Sequence, residues 1–335
     1  MHAGRLWLPG ARLDTLVITA VGVIYPPRKH CAVRALLHHP PRQGVVQQRL
    51  RRMGSRRSRR GAATCGHIRT PCYHTSMRVT VLGSGTSHGV PMIGCECAVC
   101  TSTDPRDKRT RPSIVVELPT GTILVDTAPE LRLQAVAHNV RRVDAVLFTH
   151  THADHVHGID DLRAYNTRQG GAIPLYGSPA SMEDIRVRFD YIFAQSYLGG
   201  GLPLLDLHPV EGPFAVLGHT VVPVVVLHGQ LPVYGYRFGR FAYVTDCSAI
   251  PGPSMALLHD LDVLILDALR HKPHPTHFNI AQALEAIAEL QPRRAFLTHL
   301  THDVLHRRVA GELPEGVELA YDGLVFDVEW GIPCG

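Results

Sequence analysis

An α/β domain is predicted over residues 77–335, and three observations predict it. Short apolar runs of strand length alternate with turns and helical stretches. Five residues able to hold a metal or move a proton, Asp126, His150, His228, Asp246 and His299, each lie just past the C-terminal end of such a run. Loops of an α/β fold converge at that edge, and its sites gather there. One of those runs opens into Thr149-His150-Thr151-His152-Ala153-Asp154-His155, which carries three imidazoles and a carboxylate within six residues.

The elements follow in order. Arg78-Val79-Thr80-Val81-Leu82 reads as a strand opening at Met77 and ending in the turn Gly83-Ser84-Gly85. Ile114–Leu118 and Thr122–Val125 flank Thr120-Gly121 as a hairpin ending at Asp126. Glu130 to His138 has helical spacing, and Ala145–Phe148 is a buried strand. Pro179 to Phe189 is a helix with proline in its first turn. Val221–Leu227, the pair Tyr234–Phe238 and Phe241–Thr245, and Val263–Leu266 are strands. Ile280 to Leu290 is a helix, Ala295–Leu297 a short strand, and Ala320 to Val328 closes the domain. Tyr191-Ile192-Phe193 and Gly199-Gly200-Gly201 read either as a loop over the site or as core packing.

Residues 1–76 differ from the rest. They hold fourteen Lys+Arg against one acidic residue, Asp14, and no sustained strand or helix period. A disordered basic arm, an Arg-rich targeting segment, and translation starting at Met77 all fit this composition; the last is the favoured expectation. Residues 77–335 then hold 20 basic and 28 acidic residues, a net charge of −8 that argues against a general nucleic-acid footprint. The chain is 45% hydrophobic and 19% charged, as in a globular protein, and no apolar run reaches membrane-spanning length. A cytoplasmic location is expected.

Imidazole is the commonest biological metal ligand, and carboxylate oxygen suits hard or borderline divalent ions. In an extended segment His150 and His152 point the same way. The chain then turns, so Asp154 and His155 can face the same cavity from its other side. One segment can thus serve two adjacent metals. Three of the eight cysteines crowd into Cys95-Glu96-Cys97-Ala98-Val99-Cys100, spacing that suggests a metal rather than disulfides.

This pattern resembles the metallo-β-lactamase superfamily over nearly all of 77–335. The resemblance implies a four-layer αββα sandwich, two sheets face to face between outer helices, with a dinuclear metal site at one edge. It implies that His150, His152 and His228 hold one ion, that Asp154, His155 and His299 hold the other, and that Asp246 bridges them. Asp126 matches the aspartate that orients ligands from behind. With His299 so engaged, His302 is the expected fourth ligand of a zinc held by Cys95, Cys97 and Cys100.

Leu82-Gly83-Ser84-Gly85-Thr86-Ser87-His88-Gly89-Val90-Pro91, followed by Cys-x-Cys-x-x-Cys, is similar to the phosphoribosyl 1,2-cyclic phosphate phosphodiesterases of phosphonate breakdown. So are Gly158-Ile159-Asp160-Asp161-Leu162-Arg163 and His277-Phe278-Asn279. That similarity implies hydrolysis of 5-phosphoribosyl 1,2-cyclic phosphate to ribose 1,5-bisphosphate, with two catalytic ions (manganese or zinc) and one structural zinc. His277 is the expected general acid, and Asp154 is expected to orient or deprotonate the attacking water. Arg163 has two readings, a ligand for the substrate's second phosphate or a salt-bridge partner of Asp160 or Asp161. The expected partner is a small phosphorylated sugar, without membrane or nucleic acid; a homodimer is compatible. The rival readings are an RNA-processing nuclease, a lactonase or thioesterase, and a non-catalytic binding protein. The binding protein would be expected to have lost metal ligands, and none is missing here.

Overall fold

A computed structural model describes residues 75–194 and 201–330. Apart from Thr75 and Ser76, the expectation for residues 1–76 falls outside them, as does the Gly199-Gly200 part of the expected loop.

Two seven-stranded mixed sheets make the centre. The first runs β14 (Val325–Trp330), β1 (Thr75–Gly83), β2 (Ser113–Leu118), β3 (Gly121–Val125), β4 (Ala145–Leu147), β5 (Ile173–Gly177), β6 (Leu205–Pro209). The second runs β13 (Val317–Leu319), β12 (Arg294–Thr298), β11 (Val263–Asp267), β10 (Phe241–Val244), β9 (Leu231–Phe238), β8 (His219–His228), β7 (Phe214–Val216). Each sheet has an antiparallel half and a parallel half; β3 to β6 and β10 to β13 are the parallel halves.

Side-chain alternation explains the layering. Val79, Val81, Ile114, Val116, Ile123, Val125 and Leu147 face Tyr236, Phe238, Phe241, Tyr243, Ile265 and Phe296 between the sheets. The residues between them, Leu82, Val115, Leu124 and Val146, point outward. They meet α1 (Leu131–Ala137), α3 (Arg163–Gln169) and α4 (Pro179–Arg188) through Leu131, Tyr165, Met182 and Ile185. On the far face Ala242, Val244, Leu264, Leu266 and Leu297 meet α7 (Ile280–Leu290) through Ile280, Ala283, Ile287 and Leu290. Strands buried on both faces read as continuous apolar runs, as these do. The result is the expected helix–sheet–sheet–helix sandwich.

Local signals set the helix ends. Asn279 and Gln282 form a reciprocal capping box at the start of α7, with Asn279 Oδ1 accepting from the Gln282 N–H at 2.8 Å. Ser178 caps α4 ahead of Pro179. Gly158 is required by close approach, since a Cβ there would collide with the Ala128 carbonyl oxygen.

Some boundaries differ from expectation. β1 begins at Thr75, ahead of Met77, and Thr75 and Ser76 pair with Trp330 and Glu329. The single closing segment 320–328 is broken by a turn, because the half-buried Asp322 carboxylate accepts from the backbone N–H and hydroxyl of both Ser84 and Thr110. That pulls the chain out of strand between β13 and β14. Ile192 and Phe193, in α5 (Asp190–Phe193), pack into the outer core of the first sheet, so the core-packing reading holds for them.

The sheets are tied at the end of β4. The Tyr236 hydroxyl of β9 donates to the Phe148 carbonyl at 2.7 Å, and the Tyr234 N–H donates to the Thr149 carbonyl at 3.0 Å. Both contacts hold the chain entering His150. Tyr236→Phe leaves a buried carbonyl unsatisfied, and should lower unfolding free energy by about 1–3 kcal/mol. Urea titration of wild type and variant would measure it; equal midpoints would refute the assignment.

Candidate metal centre

Six residues at the ends of strands face one another across the two sheets. Asp126 follows β3, His150 follows β4, His228 ends β8, Asp246 follows β10, Asp267 ends β11 and His299 follows β12. Asp126, Asp246 and His299 have φ of 62°, 55° and 61°, a left-handed conformation uncommon for residues other than glycine. It turns each side chain sharply out of its strand and across the sheet edge.

The histidine segment is extended through His152 and then becomes one helical turn, α2 (Ala153–Val156). His150 and His152 come from the extended part, with rings 4.6 Å apart, and Asp154 and His155 come from the turn. Asp126 holds both parts. Its Oδ1 accepts from the Thr149 N–H and its Oδ2 from the Thr149 hydroxyl and His155 Nδ1, all at 2.8 Å. His228 Nδ1 donates to the Thr276 carbonyl at 2.7 Å. Engaging Nδ1 fixes the tautomer and leaves Nε2 as the ligating atom.

The Nε2 atoms converge on Asp246. Its Oδ2 lies 3.7 Å from His150 and 3.9 Å from His228; its Oδ1 lies 3.2 Å from His155 and 3.3 Å from His299. Asp154 Oδ2 lies 3.4 and 3.5 Å from His155 and His299. Two donor sets therefore share one carboxylate: His150, His152, His228 and Asp246, and Asp154, His155, His299 and Asp246. Such separations match the edges of a coordination shell with bonds of about 2 Å. Nε2 of His150, His155 and His299 is buried with no hydrogen-bond partner among the described residues. Buried polar atoms are normally paired, so the donors fit a pair of divalent ions. His152 alone is exposed, at the mouth.

The charges of the cluster act strongly on one another. Burial alone would raise the Asp246 carboxyl, but His299, His155 and His150 hold it well below the usual range. Burial would lower His155, but Asp246, Asp154 and Asp126 push it well above the ordinary value. His299 is likewise depressed by burial yet raised to about 9, chiefly by Asp246 and Asp154. Burial and the His155 charge drive His150 well below its usual range.

The cysteine cluster forms as well. Cys95, Cys97 and Cys100 Sγ lie 3.2, 3.5 and 3.7 Å from His302 Nδ1. Three sulfurs and an imidazole at these spacings suit a tetrahedral, thiophilic ion such as zinc. The Cys97 thiol is lowered to about 6, first by the Cys100 backbone N–H, whereas burial raises Cys100 to about 11.

His277 stands beside the ion sites. Its ring lies 4.5 Å from that of His228 and 4.8 Å from that of His299, so it touches both sets. Its Nδ1 donates to Asp267 Oδ2 at 2.8 Å, an oxygen that also accepts from the Cys247 N–H. Asp267 was missed in the sequence as a functional residue, although it too ends a strand. Also missed was the anchoring of the histidine segment by α4. There the Thr151 hydroxyl donates to Asp184, and Arg188 reaches the Thr151 carbonyl. Arg163 is exposed, pairs with Asp160 at 3.5 Å, and lines a groove between α1 and α3 with Arg132, Tyr165 and Arg168. Asp160 lies in a short 3₁₀ turn and Arg163 opens α3, so their contact fits the salt-bridge reading.

Two outcomes are expected. Asp246→Ala removes the shared ligand, so elemental analysis should show loss of both ions of the dinuclear set while the cysteine site stays filled. Metal uptake at pH 7 should release about two protons, one each from His155 and His299, because ligating Nε2 must give up its proton. Affinity should then weaken as pH falls. Calorimetry in buffers of different ionisation enthalpy measures this, and heats independent of buffer would contradict it.

Comparison with known proteins agrees with this geometry. The beta-lactamase superfamily domain matches residues 121–300. A crystal structure described as a new diphosphatase from the PhnP family is 42% identical, covers 76% of this chain and 98% of its own, and superposes with a TM-score of 0.72. An octanoyltransferase of Porphyromonas gingivalis is 40% identical over 253 residues, 74% of this chain; the chain spans only 51% of that protein's length. Coenzyme PQQ synthesis protein B of Methylorubrum extorquens is 34% identical over 229 residues, 57% of this chain and 72% of its own. With two sheets, the histidine segment and the shared aspartate in place, the chain belongs to the metallo-β-lactamase superfamily and is PhnP-like within it.

Proposed function

We propose that this hydrolase is a metal-dependent phosphodiesterase acting on a small cyclic phosphate ester, with 5-phosphoribosyl 1,2-cyclic phosphate as substrate and ribose 1,5-bisphosphate as product. The observation that carries the reading is the Asp267–His277 pair, set against both donor sets but outside them. Divalent ions held by the two sets, manganese on this reading, would acidify water and offset charge on the phosphoryl oxygens. The remaining work falls to the chain. Asp267 holds the His277 ring by Nδ1 and leaves Nε2 to carry the exchangeable proton. Opening a cyclic diester expels an alkoxide, which needs that proton. Asp154 stays within the second donor set, where its Oδ2 faces His155 and His299 and can also orient the attacking water. A zinc at Cys95, Cys97, Cys100 and His302 has a structural task. On this reading the protein serves phosphonate breakdown in the cytoplasm.

The net charge of −8 over residues 77–335 speaks against an RNA substrate. A second reading, cleavage of a diphosphate, is favoured by the similarity to the PhnP-family diphosphatase. Phosphorus NMR of the manganese-loaded protein with the cyclic phosphate, and separately with a nucleoside diphosphate sugar, separates the two. Clean formation of ribose 1,5-bisphosphate is expected; turnover of the diphosphate alone would replace the first reading by the second. His277→Ala should cut turnover of bis(p-nitrophenyl) phosphate by about a hundred- to ten-thousandfold with metal content unchanged. Full activity in that variant would sink the proton-donor role.

A further inference from the structure

We infer that Asp184 and Arg188 of α4 are positioning residues for one ion of the pair, the one taken by His150, His152 and His228, and that they act through the main chain at Thr151. The inference concerns ion binding alone and goes beyond the choice of substrate.

The ligand histidines differ in what holds their rings. His150 Nδ1 meets the Thr149 hydroxyl at 3.1 Å, His155 Nδ1 meets Asp126, and His228 Nδ1 meets the Thr276 carbonyl. The ring of His152 has no hydrogen-bond partner among the described residues. It is exposed, and it meets the rings of His150 and His228 edge-on, with centroids 4.6 and 5.0 Å away. A ligating histidine ordinarily has an outer partner that fixes its ring. Lacking one, His152 takes its direction from the backbone that carries it.

That backbone is clamped from α4. Thr151 stands between the two histidines. Its hydroxyl donates to Asp184 Oδ2, and its carbonyl accepts from Arg188 Nη1 at 2.8 Å. Asp184 and Arg188 are joined in turn across one turn of helix, Nε to Oδ1 at 2.8 Å and Nη2 to Oδ2 at 2.7 Å. The three residues thus close a ring of hydrogen bonds, with a planar fork set against both oxygens of a carboxylate. Its base is firm, because Ser178 caps α4 and Met182 and Ile185 pack into the outer core. On the far side, the His152 carbonyl accepts from the His155 N–H at 3.0 Å. Both peptides flanking His152 are therefore held, which fixes the direction in which its side chain leaves the chain.

His152 serves one donor set only, together with His150, His228 and Asp246. In the other set, His155 is held by Asp126, and His299 stands at the end of β12. The clamp therefore bears on one ion and spares its neighbour. Asp184 and Arg188 are themselves partly exposed, so replacing either strands no buried charge.

Metal titration of the full chain tests the proposal. Cobalt(II), whose visible spectrum depends on its donors, is the probe. Asp184→Ala and Thr151→Val should each weaken one of the two ions of the dinuclear set by about ten- to a hundredfold and leave the other within about twofold. The spectrum of the remaining ion should match that of His152→Ala and differ from that of His299→Ala. Thr151→Ser keeps the hydroxyl and should bind both ions as wild type does. Equal weakening of both ions, loss of the ion of the other set, or wild-type affinity in Asp184→Ala and Thr151→Val would overturn the assignment. Should Asp184→Ala fail to fold by circular dichroism, Thr151→Val, which changes no charge and little volume, decides. The readout is ion binding, so failure of the proposed substrate leaves it untouched.

Discussion

Sharing of the Asp246 carboxylate between two sets of imidazoles is the constraint on which this edge of the molecule depends. Its two oxygens face different histidine pairs, within 3.2–3.9 Å. The backbone beneath it is held left-handed, as it is at Asp126 and His299. Such residues cost on the order of 1–3 kcal/mol each and persist only where surrounding structure determines them. Here the determinants are parallel strands buried on both faces, whose ends cannot shift separately. Fold stability is thereby converted into ligand placement.

The two metal-binding clusters are not independent. His299 and His302 lie three residues apart, one facing Asp246 and the other facing the cysteines. Between these clusters runs a fully buried arginine, Arg109, paired with Asp107 at 3.1 Å. Its guanidinium also donates to the carbonyls of Thr301 and Val304, while Asp107 accepts from the His306 N–H. Losing one member of a buried pair typically costs about 3–5 kcal/mol, because the other charge is left stranded. Arg109 thus welds the cysteine-bearing segment to the loop after β12. The cysteine cluster and this ion pair together fix the height at which His299 reaches the centre.

Much of this was legible in the sequence, for a stated reason. Buried strands such as Val263–Leu266 and Phe241–Thr245 are continuous apolar runs, and the ligands stand where those runs stop. Helix α7 was legible by its spacing, although its capping box had not been read. Strands β5, β6 and β7 escaped notice because they are short or carry polar residues such as Asp206 and His208. Asp267 escaped because a carboxylate at a strand end looks alike whether it binds an ion or holds a histidine. Only its 2.8 Å contact to His277 decides. Arg163 reads as a phosphate ligand or as a salt-bridge partner because a guanidinium fork suits a phosphate and a carboxylate alike.

What separates a ligand histidine from a proton carrier at this site is the partner on the far side of the ring. His150, His155 and His228 are held by the Thr149 hydroxyl, the Asp126 carboxylate and the Thr276 carbonyl respectively. Each presents Nε2 towards Asp246. His277 is held just as firmly, by Asp267, but makes no ion pair with Asp246 or Asp154. A ring anchored to a carboxylate and left outside the two Asp246-sharing sets keeps Nε2 free of the ligating task. Neighbouring imidazoles of one intrinsic chemistry are divided between two tasks by hydrogen bonds on their outer edges. The left-handed backbone at Asp126 keeps one of those outer partners turned towards its histidine.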